Sequence, residues 1–549
     1  MSTDPFVARL MAAHHDQRAC CREPHQVSRR VFADLLDQSR DTAFGRAHGL
    51  DRVRTLAEFQ AAVPVGDYES FRGYVDRIRD GEQRVLTRSR PYALHTTSGT
   101  TGRPKYVPTT RHWRNRYRGP ALYAQWGLYF QRLGLDRYRP GNVLDMSWER
   151  SLIPLPEPGG PVPVYSITKR PATVGPQDWT PPWYAEPWFL DTGGEQSLYR
   201  KVRLLAGSDV RMVVAVNPSR ITALGELLND QLELLLKDLS DGTLLGAPDP
   251  RLTAQEATAS RLEAAYSYGG RVTLCDLWPQ LSMLVCWNSA SARYYRAWLE
   301  RLAPGVPLVP FSTTGTEGIV TMPVDTHPSA GPLAVDQGLF EFVPCEPSDA
   351  GRPLPSDVAT LSSYELTTGE TYRLVMSQAN GLLRYDSGDI YRVVGRVGEL
   401  PRLEFEGRGG SVSSFTGEKL TESDVHAAIR TAVGHSSVPS VYCVVPSWGY
   451  PPGYVLVMEW PDGPGASSEA FRDRVEAELS RVNVEYAEKR DSGRLHPLRA
   501  QTVAPGTFRA LTEHHVTRGA SAAQVKHRWL HTDDTLLTQL PRLNGTHAA

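Results

Sequence analysis

The chain has 549 residues, of which 40% are hydrophobic and 22% charged, proportions that exclude a disordered or coiled-coil protein as the default. A single hydrophobic core rarely serves more than about 300 residues, so one large domain and a smaller second one are expected. Lys and Arg number 60 against 61 Asp and Glu, a formal charge of −1. No global field therefore favours DNA, RNA or an anionic membrane, and any bound anion must be held by a local site.

The N-terminus, MSTDPFVARLMAAHHDQ, carries acid and histidine where a signal peptide needs an uninterrupted apolar run, and no long apolar stretch follows elsewhere. Six cysteines (Cys20, Cys21, Cys275, Cys286, Cys345 and Cys443) show neither a CxxC pair nor His/Cys ligand spacing. A soluble protein of the reducing cytoplasm is expected.

In chain order, Val31, Phe32, Leu35 and Leu36 recur at helical spacing between Gln26 and Gln38, and a second helical pattern lies near Leu56 and Phe59. Leu94 ends an expected strand, and HTTSGTTGRPKYVPTT follows from His95 to Thr110. The segment RHWRNRYRGPALYAQWGLYF then reads as a helix with a wet arginine face and a packed aromatic face; Trp126 and Tyr129 are candidates to line an aromatic pocket. Between Pro140 and Pro187 the chain is rich in proline and aromatics and is expected to form a long surface excursion. DVRMVVAV reads as a buried strand, Ser219 as a helix N-cap, and ITALGELLNDQLELLLK as the helix it begins. LSMLVCW, SARYYRAWLERL and PLVPFS repeat strand, helix and strand, which predicts a parallel sheet covered by helices, with ligands at the carboxyl ends of its strands. After about Gly410 the pattern shortens: VYCVV, YVLVMEW and LRAQTV read as strands and SSEAFRDRVEAELSRV as an amphipathic helix, the makings of a small α+β domain. No internal repeat is visible.

The stretch after Leu94 is where chemistry first appears. Ser98, Gly99, Thr100, Thr101 and Gly102 can bend sharply enough to turn consecutive backbone N–H groups toward one point, a nest for an oxyanion. The hydroxyls of Thr97, Ser98, Thr100 and Thr101 add donors with little bulk, while Lys105 and Arg103 supply charge for a triphosphate. Two residues separate Gly99 from Gly102, so the segment is neither a P-loop nor a GxGxxG dinucleotide loop. The rival reading is a flexible Ser/Thr/Gly linker, but linkers rarely follow a strand and end in Arg-Pro-Lys.

TSGTTGRPK resembles the phosphate-binding signature of the adenylate-forming superfamily, and within it the chain is most similar to the acyl acid amido synthetases, known as auxin-responsive proteins in plants and also found in bacteria. DTAFGRAHGLDRVRTLAEFQAAVPVGDYESF resembles that family's lead-in, FSTTGTEG its second nucleotide motif and LLRYDSGDIYRVVG its third. FEGRGGSVSSFTGEKLTESDV resembles the hinge and RGASAAQVKHRWL the C-terminal lysine motif, so the resemblance spans most of the chain. It implies an α/β fold: a large N-terminal adenylate-forming domain of helix-covered sheets at residues 1–409, and a small mobile α+β domain at 410–549.

The resemblance also implies roles. Thr97, Ser98, Gly99, Thr100, Thr101, Gly102 and Lys105 would hold the phosphates of ATP. Asp389, in a Ser-Gly turn, would accept both ribose hydroxyls, its alternative being a turn-forming aspartate. Glu317 would hold Mg²⁺ while Thr316 reaches the α-phosphate, against the alternative of a plain strand-end turn. Lys526 would enter the site when the small domain swings and neutralise charge developing as a carboxylate attacks. Arg408 before the hinge and Lys419 after it are candidate contacts to ribose or phosphate, or else surface charges. Many superfamily members place an aromatic four residues before the glutamate; here Thr313 stands there, and Phe311 is the nearest candidate to pack adenine.

The expected reaction joins a small carboxylic acid to an amine or amino acid through acyl-AMP, using ATP and Mg²⁺. A thiol-accepting acyl-CoA ligase is the enzymatic rival, and a non-catalytic nucleotide-binding regulator the rival of another class. Neither HExxH nor GxSxG is present, so peptidase and serine-hydrolase readings lack local support. His95, His112, His514 and His515 read as structural.

Overall fold

The computed structural model describes residues 5–96, 105–134, 138–146, 152–153, 161–166, 170–171, 181–190, 196–216, 218–289, 296–345, 353–408, 412–413, 418, 420–433, 439–447, 451–460, 467–491, 493, 495–517, 527–531 and 533–544. Among these, no helix is long and apolar enough to cross a membrane.

Besides a short helix at Ala43–Ala47, the chain opens with four longer ones: α1 (Pro5–Cys20), α2 (Pro24–Ser39), α3 (Leu56–Ala62) and α4 (Tyr68–Arg79). A capping box starts α3, where Thr55 Oγ1 accepts from Glu58 N at 3.2 Å and Glu58 Oε2 accepts from Thr55 N at 3.0 Å. Asp67 caps α4 by accepting from Glu69 N at 3.0 Å. The antiparallel pair β1 (Pro91–Thr96) and β2 (Tyr106–Thr110) follows, two residues longer at the first strand than expected. Arg114–Arg118 then takes a π-helical turn leading into α5 (Gly119–Leu133), a local widening often found near functional sites.

The strand and helix alternation beyond is β3 (Val143–Asp145), β4 (Val164–Ser166), β5 (Met212–Val214), α6 (Ser219–Asp230), α7 (Leu232–Asp241), β6 (Met283–Cys286), α8 (Arg296–Leu302) and β7 (Leu308–Pro310). Strands β7, β6, β5 and β3 form the anticipated all-parallel sheet in that order, with α5 to α7 contributing to its core. Two local readings change. Pro218, not Ser219, occupies the N-cap, its φ of −58° already preset for a helix, so Ser219 is the first helical residue. The single leucine-rich helix is two, broken at Gln231 with φ −115°.

The proline-rich segment between 140 and 187 is also more than a surface excursion. Its described parts supply β3 to the parallel sheet and β4 as a parallel neighbour of β1. Trp183 is fully buried, its ring centroid 4.7 Å from that of Trp126 and its indole N–H donating to Asp145 Oδ2 at 3.1 Å. A tryptophan can enter a core when its N–H finds such a partner, whether or not its own backbone is regular.

The third part of the large region is an antiparallel sheet in the order β8 (Gly331–Pro332), β12 (Leu400–Arg408), β11 (Tyr385–Val397), β10 (Thr371–Ser377) and β9 (Leu339–Pro344). It shares one apolar core with α2 and α4, through Val31, Leu35, Phe71 and Val75 against Phe342, Leu374 and Tyr391.

Beyond residue 418 the expected α+β unit appears: α9 (Glu422–Val433), β13 (Val441–Ser447), β14 (Gly453–Glu459), α10 (Ser467–Val482), β15 (Arg499–Val503) and α11 (Thr507–Thr517). Along β14, Tyr454, Leu456 and Met458 face one core with α9 and α10, while Val455 and Val457 face another with α11, the period of two that a strand buried on both faces requires. Residues 527–531 lie along β13, with Val444 N donating to Trp529 O at 2.7 Å and His531 N to Val444 O at 2.9 Å.

Candidate functional site

The loop 97–105 joins β1 to β2, whose last register pair is Thr96 with Tyr106. Thr97, Ser98, Gly99, Thr100, Thr101 and Gly102 lie outside the described residues, and Lys105 and Tyr106 follow at the exit of the loop. Tyr68, the first residue of α4, donates its hydroxyl proton to Tyr106 O at 3.0 Å and accepts from Tyr106 N at 2.6 Å. One hydroxyl thus satisfies both backbone groups of the residue that closes the loop. Burial pushes the Tyr68 pKa up to about 12, so the hydroxyl keeps its proton. Lys105 sits at the exit, its Nζ 5.8 Å from the centroid of the same ring.

The second motif follows β7 at the carboxyl edge of the parallel sheet. The helix that begins after the hairpin runs alongside it and holds it at three levels. Tyr129 donates to Pro310 O at 3.0 Å, Gln125 Oε1 accepts from Ser312 N at 3.0 Å, and Arg118 Nη1 donates to Gly315 O at 3.1 Å. Gly315 N donates to Gly318 O at 2.9 Å, closing a tight turn that carries Thr316 and Glu317. From below, Asn380 Nδ2 donates to Glu317 O at 3.0 Å.

Glu317 is 5% exposed, and among the described residues nothing donates to its carboxylate or pairs with it. An acidic side chain that no described group engages is the most pointed feature of the turn. Its Oε2 lies 2.7 Å from where a Cβ on Gly315 would be, so the carboxylate folds back over Gly315.

The third motif lies in β11, and here the structure corrects the expectation of a turn between strands. Asp389 stands within one continuous strand, at a bulge, half-buried, with Arg408 its Cα partner on β12. Backbone contacts bring this strand to the first motif: Gly66, two residues before Tyr68, bridges Tyr385, and Asp386 N donates to Gly66 O at 2.9 Å. The segment that carries Tyr68 and the Asp389 strand are thereby joined, and Asn380, five residues before that strand, joins the Glu317 turn to the same sheet.

Other candidates fall elsewhere. Phe311, offered for adenine, is built into the core of the parallel sheet, as are Trp126 and Tyr129. None presents a ring to a ligand, because apolar side chains beside a parallel sheet are consumed in covering it. His95 bonds Thr109 Oγ1 at 2.7 Å and His112 bonds Asp34 Oδ2 at 2.7 Å, both structural as read. Arg408 ends β12, while Lys419 and Lys526 lie outside the described residues. The segment after Lys526 is anchored by His527, whose Nε2 donates to Tyr442 O at 2.7 Å. Tyr68, Gln125 and Asn380 escaped sequence reading, since each acts through a backbone group remote along the chain.

Three family models match in series: the GH3 family N-terminal domain over residues 13–308, the central domain over 331–408 and the C-terminal domain over 423–535. A probable indole-3-acetic acid-amido synthetase, GH3.2, of Oryza sativa subsp. japonica is 25% identical, the match covering 91% of this chain and 87% of that protein. The indole-3-acetic acid-amido synthetase GH3.5 of Arabidopsis thaliana is 26% identical over 91% of this chain and 88% of its own. Among solved structures, the AtGH3.15 acyl acid amido synthetase in complex with 2,4-DB superposes with a TM-score of 0.77 at 21% identity, covering 99% of this chain and 97% of that one. A 2-hydroxyisobutyryl-CoA ligase in its postadenylation state superposes at 0.50 with 13% identity, over 99% and 94%. With that fold and the N-terminal family model covering more than half of its length, the chain belongs to the GH3 family.

Proposed function

We propose that this chain is an ATP-dependent acyl acid amido synthetase, and the observation that carries the reading is Glu317, 5% exposed and engaged by no donor among the described residues, on a turn whose Gly315 O is held by Arg118 of the helix that follows the loop and its hairpin. A carboxylic acid is a poor acylating agent because resonance and charge shield its carbon. In the first step an acid oxygen attacks the α-phosphorus of ATP, the bond to the bridging oxygen breaks, and pyrophosphate leaves with its electron pair. In the second, an amine attacks the acyl carbon, loses a proton and expels AMP, leaving an amide.

Residues 97–102 and Lys105 hold the triphosphate by backbone N–H groups, hydroxyls and one cation. Thr316 approaches the α-phosphate, Asp389 accepts the ribose hydroxyls, and Arg408 and Lys419 contact ribose or phosphate. Lys526 neutralises the charge that grows on the phosphate during attack. Glu317 suits a hard divalent cation: carboxylate oxygen is the ligand type Mg²⁺ takes, and the group has no competing donor among the described residues. Mg²⁺ held there would supply charge neutralisation to the phosphates.

We place the division between the adenylation domain and the mobile domain at residues 409 and 410, with rotation about residues 407–414 completing the site for the second step. The substrates are a small-molecule acid and an amine, most simply an amino acid. The six cysteines are all free, which supports a reducing, cytoplasmic setting.

The test is a carboxylic-acid panel including indole-3-acetate and 2,4-DB, with ATP and Mg²⁺, scored for acid-dependent pyrophosphate release and then for AMP formation with amino acids, other amines or CoA. Acid-dependent pyrophosphate followed by amine-dependent amide is expected. No acid-dependent pyrophosphate across the panel would remove adenylation, and a requirement for CoA would move the chain to the ligases. Glu317→Gln should lower adenylate formation at least about 100-fold at fixed Mg²⁺, with partial recovery at higher Mg²⁺; unchanged Mg²⁺ dependence would take Glu317 out of the metal site.

A further inference from the structure

Strands β10 and β11 lose register at one place. Arg373 pairs with Ile390 and Val375 with Asp386, so Leu374 alone stands opposite Ser387, Gly388 and Asp389. Such a bulge breaks the alternation of faces and re-aims the residues it contains. Two hydrogen bonds and one backbone conformation shape it. Ser387 Oγ accepts from Asp389 N at 3.1 Å, Gly388 adopts φ +74°, and Asp386 Oδ1 accepts from Gly388 N at 2.9 Å.

Asp386 is in turn gripped from the neighbouring strand. Arg373 Nε donates to Oδ1 at 2.9 Å and Nη2 to Oδ2 at 2.5 Å, a planar fork between side chains that are 8% and 4% exposed. A buried ion pair is weak evidence for stability, because desolvation offsets most of the attraction. What this pair supplies is geometry: it orients the oxygen that holds the Gly388 N–H, one residue before Asp389.

We infer that Arg373 and Asp386 are positioning residues for nucleotide recognition, setting the bulge from which Asp389 reads the ribose. The inference rests on the reading that Asp389 accepts the ribose hydroxyls. A pair that merely stabilised the sheet would affect every nucleotide alike. A pair that sets Asp389 must instead affect the part of the binding energy that depends on those hydroxyls.

The experiment compares Mg²⁺-ATP with Mg²⁺-2′-deoxy-ATP by isothermal titration calorimetry on the full chain. The wild type should prefer ATP by about tenfold or more, the value of one charge-assisted hydrogen bond. Arg373→Lys keeps the charge but gives up the fork. Arg373→Met with Asp386→Leu replaces the pair by apolar groups of similar size, a change that folded proteins often tolerate. Both should weaken ATP by about tenfold and bring the ATP to 2′-deoxy-ATP ratio below about twofold, close to that of Asp389→Ala. A folded variant, verified by circular dichroism, that keeps the wild-type ratio overturns the proposal; should the double variant fail to fold, Arg373→Lys decides. If Asp389→Ala itself keeps the ratio, the ribose reading falls first, and the two failures are told apart.

Discussion

Replacing Arg384 by methionine should loosen the antiparallel sheet that carries Asp389, and the structure sets the size of the effect. The side chain is buried, with Nε 3.0 Å from Glu341 Oε2 and Nη2 3.1 Å from Oε1, while Nη1 donates at 2.8 Å to both Gln60 O and Val63 O. Methionine fills the stem's volume and faces the same backbone strain at φ +48°, so the ionic head is what is lost. Glu341 would keep two neutral donors, Gln60 Nε2 at 2.8 Å and Thr360 Oγ1 at 2.6 Å, but no counter-charge. Breaking a buried pair on one side costs about 3–5 kcal/mol. The two remaining donors place the expectation near the lower end, about 3 kcal/mol, or roughly 100-fold in an opening equilibrium. Hydrogen–deuterium exchange followed by mass spectrometry reads this locally, as faster exchange of peptides from β9 to β11 with little change in β13 to β15. Adding Glu341→Leu should restore most of the protection, since it removes the stranded charge. A loss below about fivefold in the single variant, or no recovery in the double, would refute the reasoning.

Two further outcomes are expected. Tyr68→Phe removes the hydroxyl that serves both backbone groups of Tyr106, so ATP binding should weaken by about tenfold with the fold intact by circular dichroism; unchanged ATP affinity would show that the loop exit needs no such pin. His527 is enclosed by Phe508, Trp529 and the Tyr442 carbonyl, and burial pushes its pKa down from 6.5 to about 4. Because the folded value lies below the unfolded one, its contribution to stability is complete above pH 6.5 and is lost as pH falls toward 4. The wild type should therefore lose small-domain stability over that window relative to His527→Gln, monitored by denaturant titration of tryptophan fluorescence. Parallel pH profiles for the two proteins would remove His527 as the cause.

Much of this protein was legible in one dimension because its causes are local. The alternation of β5, α6, β6, α8 and β7 follows from apolar periodicity, and the start of α3 from Thr55 and Glu58 three residues apart. The phosphate loop, the Glu317 turn and the Asp389 segment each announce themselves by residue types packed into a few positions. Tertiary structure alone decided how those pieces are held. Gln125 and Ser312 are 187 residues apart, Arg384 and Glu341 43, and Tyr68 and Tyr106 38. A pattern of apolar positions states that a face will be covered but not by what, which is why Phe311 and the aromatic helix looked available to a ligand and proved to be core. Register has the same character: spacing placed Asp389 in a polar turn, whereas the fork from Arg373 to Asp386 on the neighbouring strand keeps it in the sheet at a bulge. Residue chemistry is written in the sequence, but the backbone groups and counter-charges that aim it come together only when distant strands pair.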